Sequence, residues 1–290
     1  MGKVLVAGAS GNFGAAAARA FQAAGWEVRR YQRGTDMAAA AMGCDVIVNG
    51  LNPPMYHDWA RLIPAITAQV LDAARASGAT VIVPGNVYVY GNQPGPWGAD
   101  TPHVPCSRKG AIRATMEAQY RASGLPVILL RGGDFLDETA PGSFLNMVTL
   151  KGLAKGKLTI AGTPDVQRAY AYLPDMARVA VALAERRAEL PRFADIPYAG
   201  LSISMADLKA EIERQSGRKL RYTQMPWGVM RLLSPVWELA RELREMRYLY
   251  DLPHSLDPAY LAQILPEHQD TRFEQVVAAH LAARKAVKAA

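Results

Sequence analysis

Residues 8–14 read Gly8-Ala9-Ser10-Gly11-Asn12-Phe13-Gly14, with a glycine at every third position. Before them, Val4-Leu5-Val6-Ala7 has the composition of a buried strand. After them, Ala15-Ala16-Ala17-Ala18-Arg19-Ala20-Phe21 is a strong helix former. Between a strand and a helix, such glycines do one recognisable kind of chemistry, the cradling of a dinucleotide pyrophosphate. Gly8 permits the tight turn, Gly11 lets the backbone approach the phosphates, and Gly14 lets the helix pack close to the strand. The helix start adds unpaired N–H groups and a positive dipole end. Ser10, Asn12 and Phe13 share this loop and are expected cofactor contacts with the glycines. The spacing is G-x-x-G-x-x-G, not the G-x-G-x-x-G of most two-domain dehydrogenases.

The next chemical signal concerns the nucleotide. An NAD site places a carboxylate about twenty residues beyond the glycines, where it holds the ribose 2′-hydroxyl. This chain reads Arg29-Arg30-Tyr31-Gln32-Arg33-Gly34-Thr35, with no carboxylate before Asp36. Arg33 stands nineteen residues after Gly14 (33 − 14), where a guanidinium can clasp a 2′-phosphate. The expected cofactor is therefore NADP(H) in preference to NAD(H), with Arg29 and Arg30 as weaker contacts.

Strands are expected at residues 26–31, 45–48, 79–83 and 127–131, and helices at 59–77 and about 109–122. This alternation predicts a Rossmann-like, doubly wound parallel α/β sheet with a smaller, mainly helical C-terminal cap over the substrate. A flavodoxin-like sheet would need a different loop after its first strand. Residues 1–135 are read as the dinucleotide-binding core, joined again by elements near 165–200. Residues 136–290 are read as the interleaved cap. Helices are expected at 144–153, from Pro174, from an N-cap at Ser204, across 227–250 with a kink at Pro235, and at 271–289. Further strands fall near Leu158 and at 168–173. Ligands in such sheets bind beyond the strand C-termini, which points to Gly50, Leu51 and Asn52, to Gly85, Asn86 and Tyr88, and to Phe135.

Half of the 290 residues are hydrophobic, enough for a real core, and the net charge of +7 is scattered apart from Arg29, Arg30 and Arg33. There is no basic stripe interleaved with aromatics, so nucleic acid is not an expected partner. The excess charge suits an anionic small molecule or a solvated surface. No apolar run reaches membrane-spanning length and no signal-peptide pattern opens the chain, so no membrane partner is expected. Cys44 and Cys106 provide neither a disulfide framework nor a metal spacing. No metal is expected, and a reducing cytoplasm is the expected compartment.

The chain resembles the short-chain dehydrogenase/reductase superfamily, in its extended or atypical, epimerase/dehydratase-like branch. The resemblance rests on residues 8–14, on Asn86-Val87-Tyr88-Val89-Tyr90-Gly91, on Lys109-Gly110-Ala111-Ile112-Arg113 with Glu117, and on Tyr172-Leu173-Pro174-Asp175-Met176-Ala177. It covers most of the chain, and its departures carry as much information as its agreements. Where the family has a serine or threonine four residues before a Tyr-Gly pair, this chain has Asn86. The family's Y-x-x-x-K motif falls on Lys109 and Arg113.

The resemblance implies catalytic positions for Asn86, Lys109 and Arg113. Asn86 would donate to a substrate carbonyl. Arg113 would hold the nicotinamide ribose, or else pair with Glu117. Lys109 would contact the cofactor and move protons, once its pKa fell from about 10.4 toward neutrality. Some atypical reductases of the superfamily use a lysine in this way. Tyr88 and Tyr56 are the phenols near the site that could replace the missing one; Tyr88 is a fourth candidate catalytic residue, and both are expected with Phe135 to meet the substrate. His57 and Asp58 are adjacent and rarely would face each other, and Asp58 is expected to cap the helix at Trp59.

Two functions remain open at this stage. One is an NADP(H)-dependent oxidoreductase or epimerase-like enzyme acting on a small polar, carbonyl or sugar-like substrate with altered catalytic residues. The other is an inactive dinucleotide-binding redox sensor or regulator. The segment 227–250, with Trp237 and its arginines, is read as cap or homodimer contact.

Overall fold

In the first strand Val4 and Val6 point to one side and Leu5 and Ala7 to the other, all four fully buried. A strand apolar on both faces needs helices on both sides, and the computed structural model, which describes residues 1–139 and 142–289, has them. Strand β1 (Lys3–Ala7) leads through the glycine loop into α1 (Asn12–Ala23). Then come β2 (Glu27–Arg30), the single-turn α2 (Met37–Ala41), β3 (Val46–Asn49), α3 (Trp59–Ser77), β4 (Thr80–Gly85), α4 (Arg108–Ala122) and β5 (Val127–Arg131). The chain continues through β6 (Asp134–Leu136), β7 (Lys157–Ile160), β8 (Arg168–Tyr172), α5 (Leu173–Glu185) and β9 (Phe193–Pro197). It ends with β10 (Leu201–Ile203), α6 (Met205–Ser216), β11 (Arg221–Gln224), α7 (Trp227–Leu233), α8 (Glu238–Glu245), α9 (Ala259–Ile264) and α10 (Phe273–Ala289).

The main sheet is six-stranded, in the order β2-β1-β3-β4-β5-β9, and every pairing in it is parallel. This is the expected doubly wound Rossmann-like sheet. Helices α1 and α5 cover one face. Their facing alanines, Ala17 against the Ala177 and Ala180 region, let two helices and the sheet close around Val4, Val6, Phe21 and Leu130. Helices α3 and α4 cover the other face around Leu5, Ile47, Val81 and Leu129. The chain leaves β1 toward β2 and returns to pair β3 on its opposite side. That reversal opens the crevice in which ligands of such sheets lie.

Two small sheets accompany the C-terminal helices: β10-β8-β6, with one antiparallel and one parallel pairing, and the parallel pair β11-β7. The Ser204 N-cap is present as a full capping box with Asp207. Three local expectations are corrected. Residues 144–153 form a π-helical turn at Leu145–Thr149 and a short 3₁₀ turn at Leu153–Lys155, because Gly152 and Gly156 interrupt the pattern. The long kinked helix is two helices, α7 and α8, broken by Ser234 and Pro235. Asp58 does not cap α3: its backbone is left-handed and its carboxylate pairs with Arg61 at 2.6 Å.

Candidate active site

Four glycines build the floor of the crevice. Gly8, at φ +78°, turns the chain after β1 in a conformation that a side chain would strain. A β-carbon on Gly14 would lie 2.1 Å from the carbonyl oxygen of Gly8. One on Gly50, just past β3, would lie 2.9 Å from the Gly14 α-carbon. Gly11 leads into α1 with no side-chain cap, and no acidic residue stands in the first turn. The helix therefore presents its N–H groups and dipole to the crevice, as a pyrophosphate requires. On these observations the residues present fit a dinucleotide.

From this floor a cleft of about 520 Å³ runs to the cap, within the size range of small-molecule sites. Gly11, Asn12, Phe13, Gly50, Leu51, Asn52, Gly85, Asn86, Tyr88, Arg113, Phe135 and Tyr56 all line it. Gly8 and Gly14 lie in the packing beneath. Phe13 and Phe135 stack from opposite sides, with ring centroids 6.5 Å apart. Sequence reasoning missed Trp59 and the roof residues Leu239 and Leu243. Leu239 and Leu243, four apart on the segment read as cap, were the available signal for the roof.

The polar end of the cleft is a phenol pair beside a cation. The hydroxyls of Tyr56 and Tyr88 are 3.3 Å apart. Trp59 packs against both rings and carries the Arg113 guanidinium over its face, 4.6 Å from the ring centroid. Arg113 Nη2 donates to Asn52 Oδ1 at 2.7 Å, while its buried Nε has no partner among the described residues. Arg113 therefore does not pair with Glu117. Burial raises the pKa of Tyr88 well above the ordinary phenol value. Burial also raises that of Tyr56; the Tyr88 hydrogen bond opposes this, the Asp134 charge adds to it, and the Arg113 charge opposes it. Both phenols thus stand above the ordinary value, Tyr88 the further, and either hydroxyl can donate in the hydrogen bond between them.

The loop that carries Tyr56 is strained. Met55, Tyr56 and Asp58 all have positive φ, at 53°, 61° and 44°. Such conformations cost about 1–3 kcal/mol each in non-glycine residues and concentrate at functional sites.

Asn86 lines the cleft with its side chain, whose Oδ1 accepts the Tyr88 N–H at 3.0 Å. Its main-chain carbonyl accepts from Arg131 Nη1 at 2.5 Å. Arg131 is fully buried between Glu117 and Asp195, bonded in two-pronged fashion to each. This triad ties α4, β5 and β9 together beneath the loop after β4. His103 reaches Glu117 at 3.6 Å, and burial lowers its pKa.

The structure does not bring Lys109 into the cleft. Its ammonium is 1% exposed and bonds Glu242 at 2.5 Å and Glu245 at 2.7 Å, both on α8. It also donates to the Glu242 carbonyl and lies over the outer side of the Tyr56 ring, 5.1 Å from its centroid. The expectation that Lys109 projects toward the reacting atoms is thereby corrected: acidic side chains from a distant segment, invisible in the local pattern, draw it to the cap. Glu242 is held below the ordinary carboxylate range. Burial pushes it up, but Lys109 and Arg241 outweigh that effect.

Arg33 lies in the exposed turn after β2, outside the cleft lining, with Ser10 likewise exposed. Arg29 is engaged elsewhere, donating to the Ala40 and Met42 carbonyls. Asp36, the first carboxylate after β2, accepts from the N–H groups of Ala38 and Ala39 as the cap of α2. His57 bonds Glu238 of α8 at 2.8 Å and faces solvent, so its partner is not the neighbouring Asp58.

Residues 58–196 match the model of the NAD dependent epimerase/dehydratase family, and the resemblance read from the sequence is upheld. No curated protein matches the chain. Among solved structures, MoeE5 in complex with UDP-glucose and NAD is similar at a TM-score of 0.80 and 15% identity, over 99% of this chain and 100% of that one. The UDP-glucuronic acid 4-epimerase from Bacillus cereus, in complex with UDP-glucuronic acid and NAD, is similar at 0.79 and 17%, over 98% and 99%. TunA, an NAD dependent NDP-hexosamine 5,6-dehydratase of tunicamycin biosynthesis, is similar at 0.76 and 17%, over 99% and 98%. At these identities the likeness is one of fold.

Proposed function

We propose that this epimerase/dehydratase-like chain is an NADP(H)-dependent oxidoreductase that reduces a carbonyl compound, with Tyr56 as its proton donor. The observation that carries the reading is the Tyr56–Tyr88 phenol pair beside Arg113, at the end of a cleft floored by a dinucleotide loop. The bound cofactor would supply the hydride. Tyr56 would give its O–H proton to the carbonyl oxygen as negative charge develops there. The Tyr88 hydroxyl and the Arg113 guanidinium stabilise the phenolate that remains, which solvent reprotonates. Asn86 also lines the cleft, and its amide N–H₂ would orient the carbonyl. Lys109 has no part in the step, since its ammonium is turned to Glu242 and Glu245.

The preference for a 2′-phosphate rests on this chain's own residues, because the similar structures above are NAD complexes. It is supported by Arg33 at the end of β2 and by Asp36, whose carboxylate is committed to the cap of α2.

NADPH consumption with a panel of aldehydes, ketones and nucleotide sugars tests the proposal. Tyr56→Phe should lower kcat by about 10²-fold or more, the usual share of a positioned acid, while the NADPH dissociation constant stays within a few-fold. Tyr88→Phe should cost less. Arg33→Ala should weaken NADPH and leave NADH unchanged. Tight NADPH binding without turnover across the whole panel would favour the regulator reading instead, which the sealed Lys109 position also suits.

A further inference from the structure

Large apolar side chains are seldom left exposed in one place, yet five stand exposed between residues 229 and 237: Val229 at 54%, Leu232 at 79%, Leu233 at 37%, Val236 at 86% and Trp237 at 45%. The first four are spaced i, i+3, i+4 and i+7, which puts them on one face of α7 and its extension. The opposite side of the same elements is fully used, since Met230 is buried with Met225, Ala240 and Leu243. The outer stripe therefore is not a core face turned the wrong way. It is a second apolar face, without a partner among the described residues.

The charges around this elbow are positive in excess: Arg241 is paired to Glu238 and Glu242, while Arg231, Arg244 and Arg247 are in no ion pair among the described residues. Arg231, Arg241, Arg244 and Arg247 are exposed on α7, α8 and the turn that follows. The nearby carboxylates are committed: Glu242 and Glu245 to Lys109, and Glu238 to His57 and Arg241. Arg244 also donates to Ser234 Oγ at 2.6 Å, bracing the elbow between the two helices. Two copies meeting through this face would bring their arginines together, and five side chains fall short of the roughly 800 Å² per partner of a stable interface. An apolar stripe with a tryptophan at its edge and arginines at its flanks instead complements an anionic lipid surface.

We propose that the α7–α8 elbow is a peripheral docking surface for an anionic lipid bilayer. Val229, Leu232 and Val236 enter the headgroup region, Trp237 lies at its boundary, and the arginines meet lipid phosphates. No helix among the described residues is long and apolar enough to cross a membrane, so the contact is reversible and lies in the plane of the surface.

Co-sedimentation with vesicles tests this. The full chain should pellet with vesicles of equal parts phosphatidylcholine and phosphatidylglycerol, should not pellet with phosphatidylcholine alone, and should be released by high salt. Leu232→Glu with Val236→Glu should weaken binding by about tenfold or more, given what burying such side chains contributes. Both sites are exposed, so thermal unfolding and NADPH affinity should not move. Arg231→Gln should weaken it about fivefold, the share of one cation at an anionic surface. Failure to pellet with either vesicle would overturn the proposal, as would binding that survives the double substitution. So would sedimentation velocity showing a dimer that the double substitution dissociates, with no vesicle binding.

Discussion

Lys109→Met removes the ammonium that joins α4 to α8 while keeping most of its aliphatic volume. The cation is 1% exposed, and its principal partner Glu242 is 4% exposed. Removing one partner of a buried ion pair costs about 3–5 kcal/mol where the other charge is left without compensation, and Arg241, 3.2 Å from Glu242, still supplies part of it. Glu245 is 23% exposed, and solvent takes up part of its loss, so the lower end applies. A loss of about 3 kcal/mol corresponds to a fall in melting temperature of roughly 6–12 °C, using the sensitivity of chains slightly smaller than this one. Calorimetry of the single and double variants is the assay. Adding Glu242→Leu to Lys109→Met removes both charges and should recover most of the loss, since an apolar replacement of a whole buried pair is close to neutral. NADPH turnover should follow the same order, because the cap, not the chemistry, is being disturbed. If Lys109→Met melts within about a degree of the parent, well inside the shift expected for a buried pair, and yet abolishes turnover, Lys109 acts on the reacting atoms and this reasoning fails.

Two further outcomes are expected. Gly14→Ala would place a methyl group 2.1 Å from the Gly8 carbonyl oxygen, which is backbone and cannot turn aside. The variant should therefore lose dinucleotide affinity in fluorescence titration even where it still folds, whereas alanine at the open Gly228 should change nothing. The hydrogen bond that the His57 ring donates to Glu238, followed by the Glu238 charge, raises His57 above its ordinary value of 6.5. The anchor between the loop after β3 and α8 is therefore complete below pH 6.5 and is lost as the pH rises through the raised value. An NMR titration of the His57 ring should show this, and Glu238→Gln should bring the midpoint back to the ordinary value. An unchanged midpoint would mean the pair does not form in solution.

The glycine loop, the five strands up to residue 131 and the helices α1, α3 and α4 between them are legible because each depends on local pattern, whereas the single-turn α2 is not. Nor is the sixth strand. Phe193–Pro197 carries Asp195 at its centre, which breaks the apolar run, and only the distant Arg131 makes that charge tolerable in a buried strand. Lys109 shows the same limit from the other direction. Its position on α4 was readable, but its orientation is set by two carboxylates 133 and 136 residues later (242 − 109 and 245 − 109). Tyr56 was visible as a phenol beyond a strand end. What singles it out, left-handed backbone geometry and a hydroxyl shared with Tyr88, has no signature in residue order.

Among the described residues β2, a strand of four residues, is one edge of the main sheet, and the exposed turn that carries Arg33 follows it. The adenosine half of a dinucleotide would therefore rest against a rim rather than in a trench. Rims and trenches differ in residence time more than in recognition: a charged clasp at the edge governs how fast a ligand is captured, while enclosure governs how slowly it leaves. An epimerase that returns its hydride to the same substrate gains by holding one cofactor through many cycles. A reductase spends its cofactor each time and has to exchange it. Under the reductase proposal, an edge strand followed by an arginine-bearing turn, with α8 over the other end of the cleft, would let the cofactor exchange between turnovers.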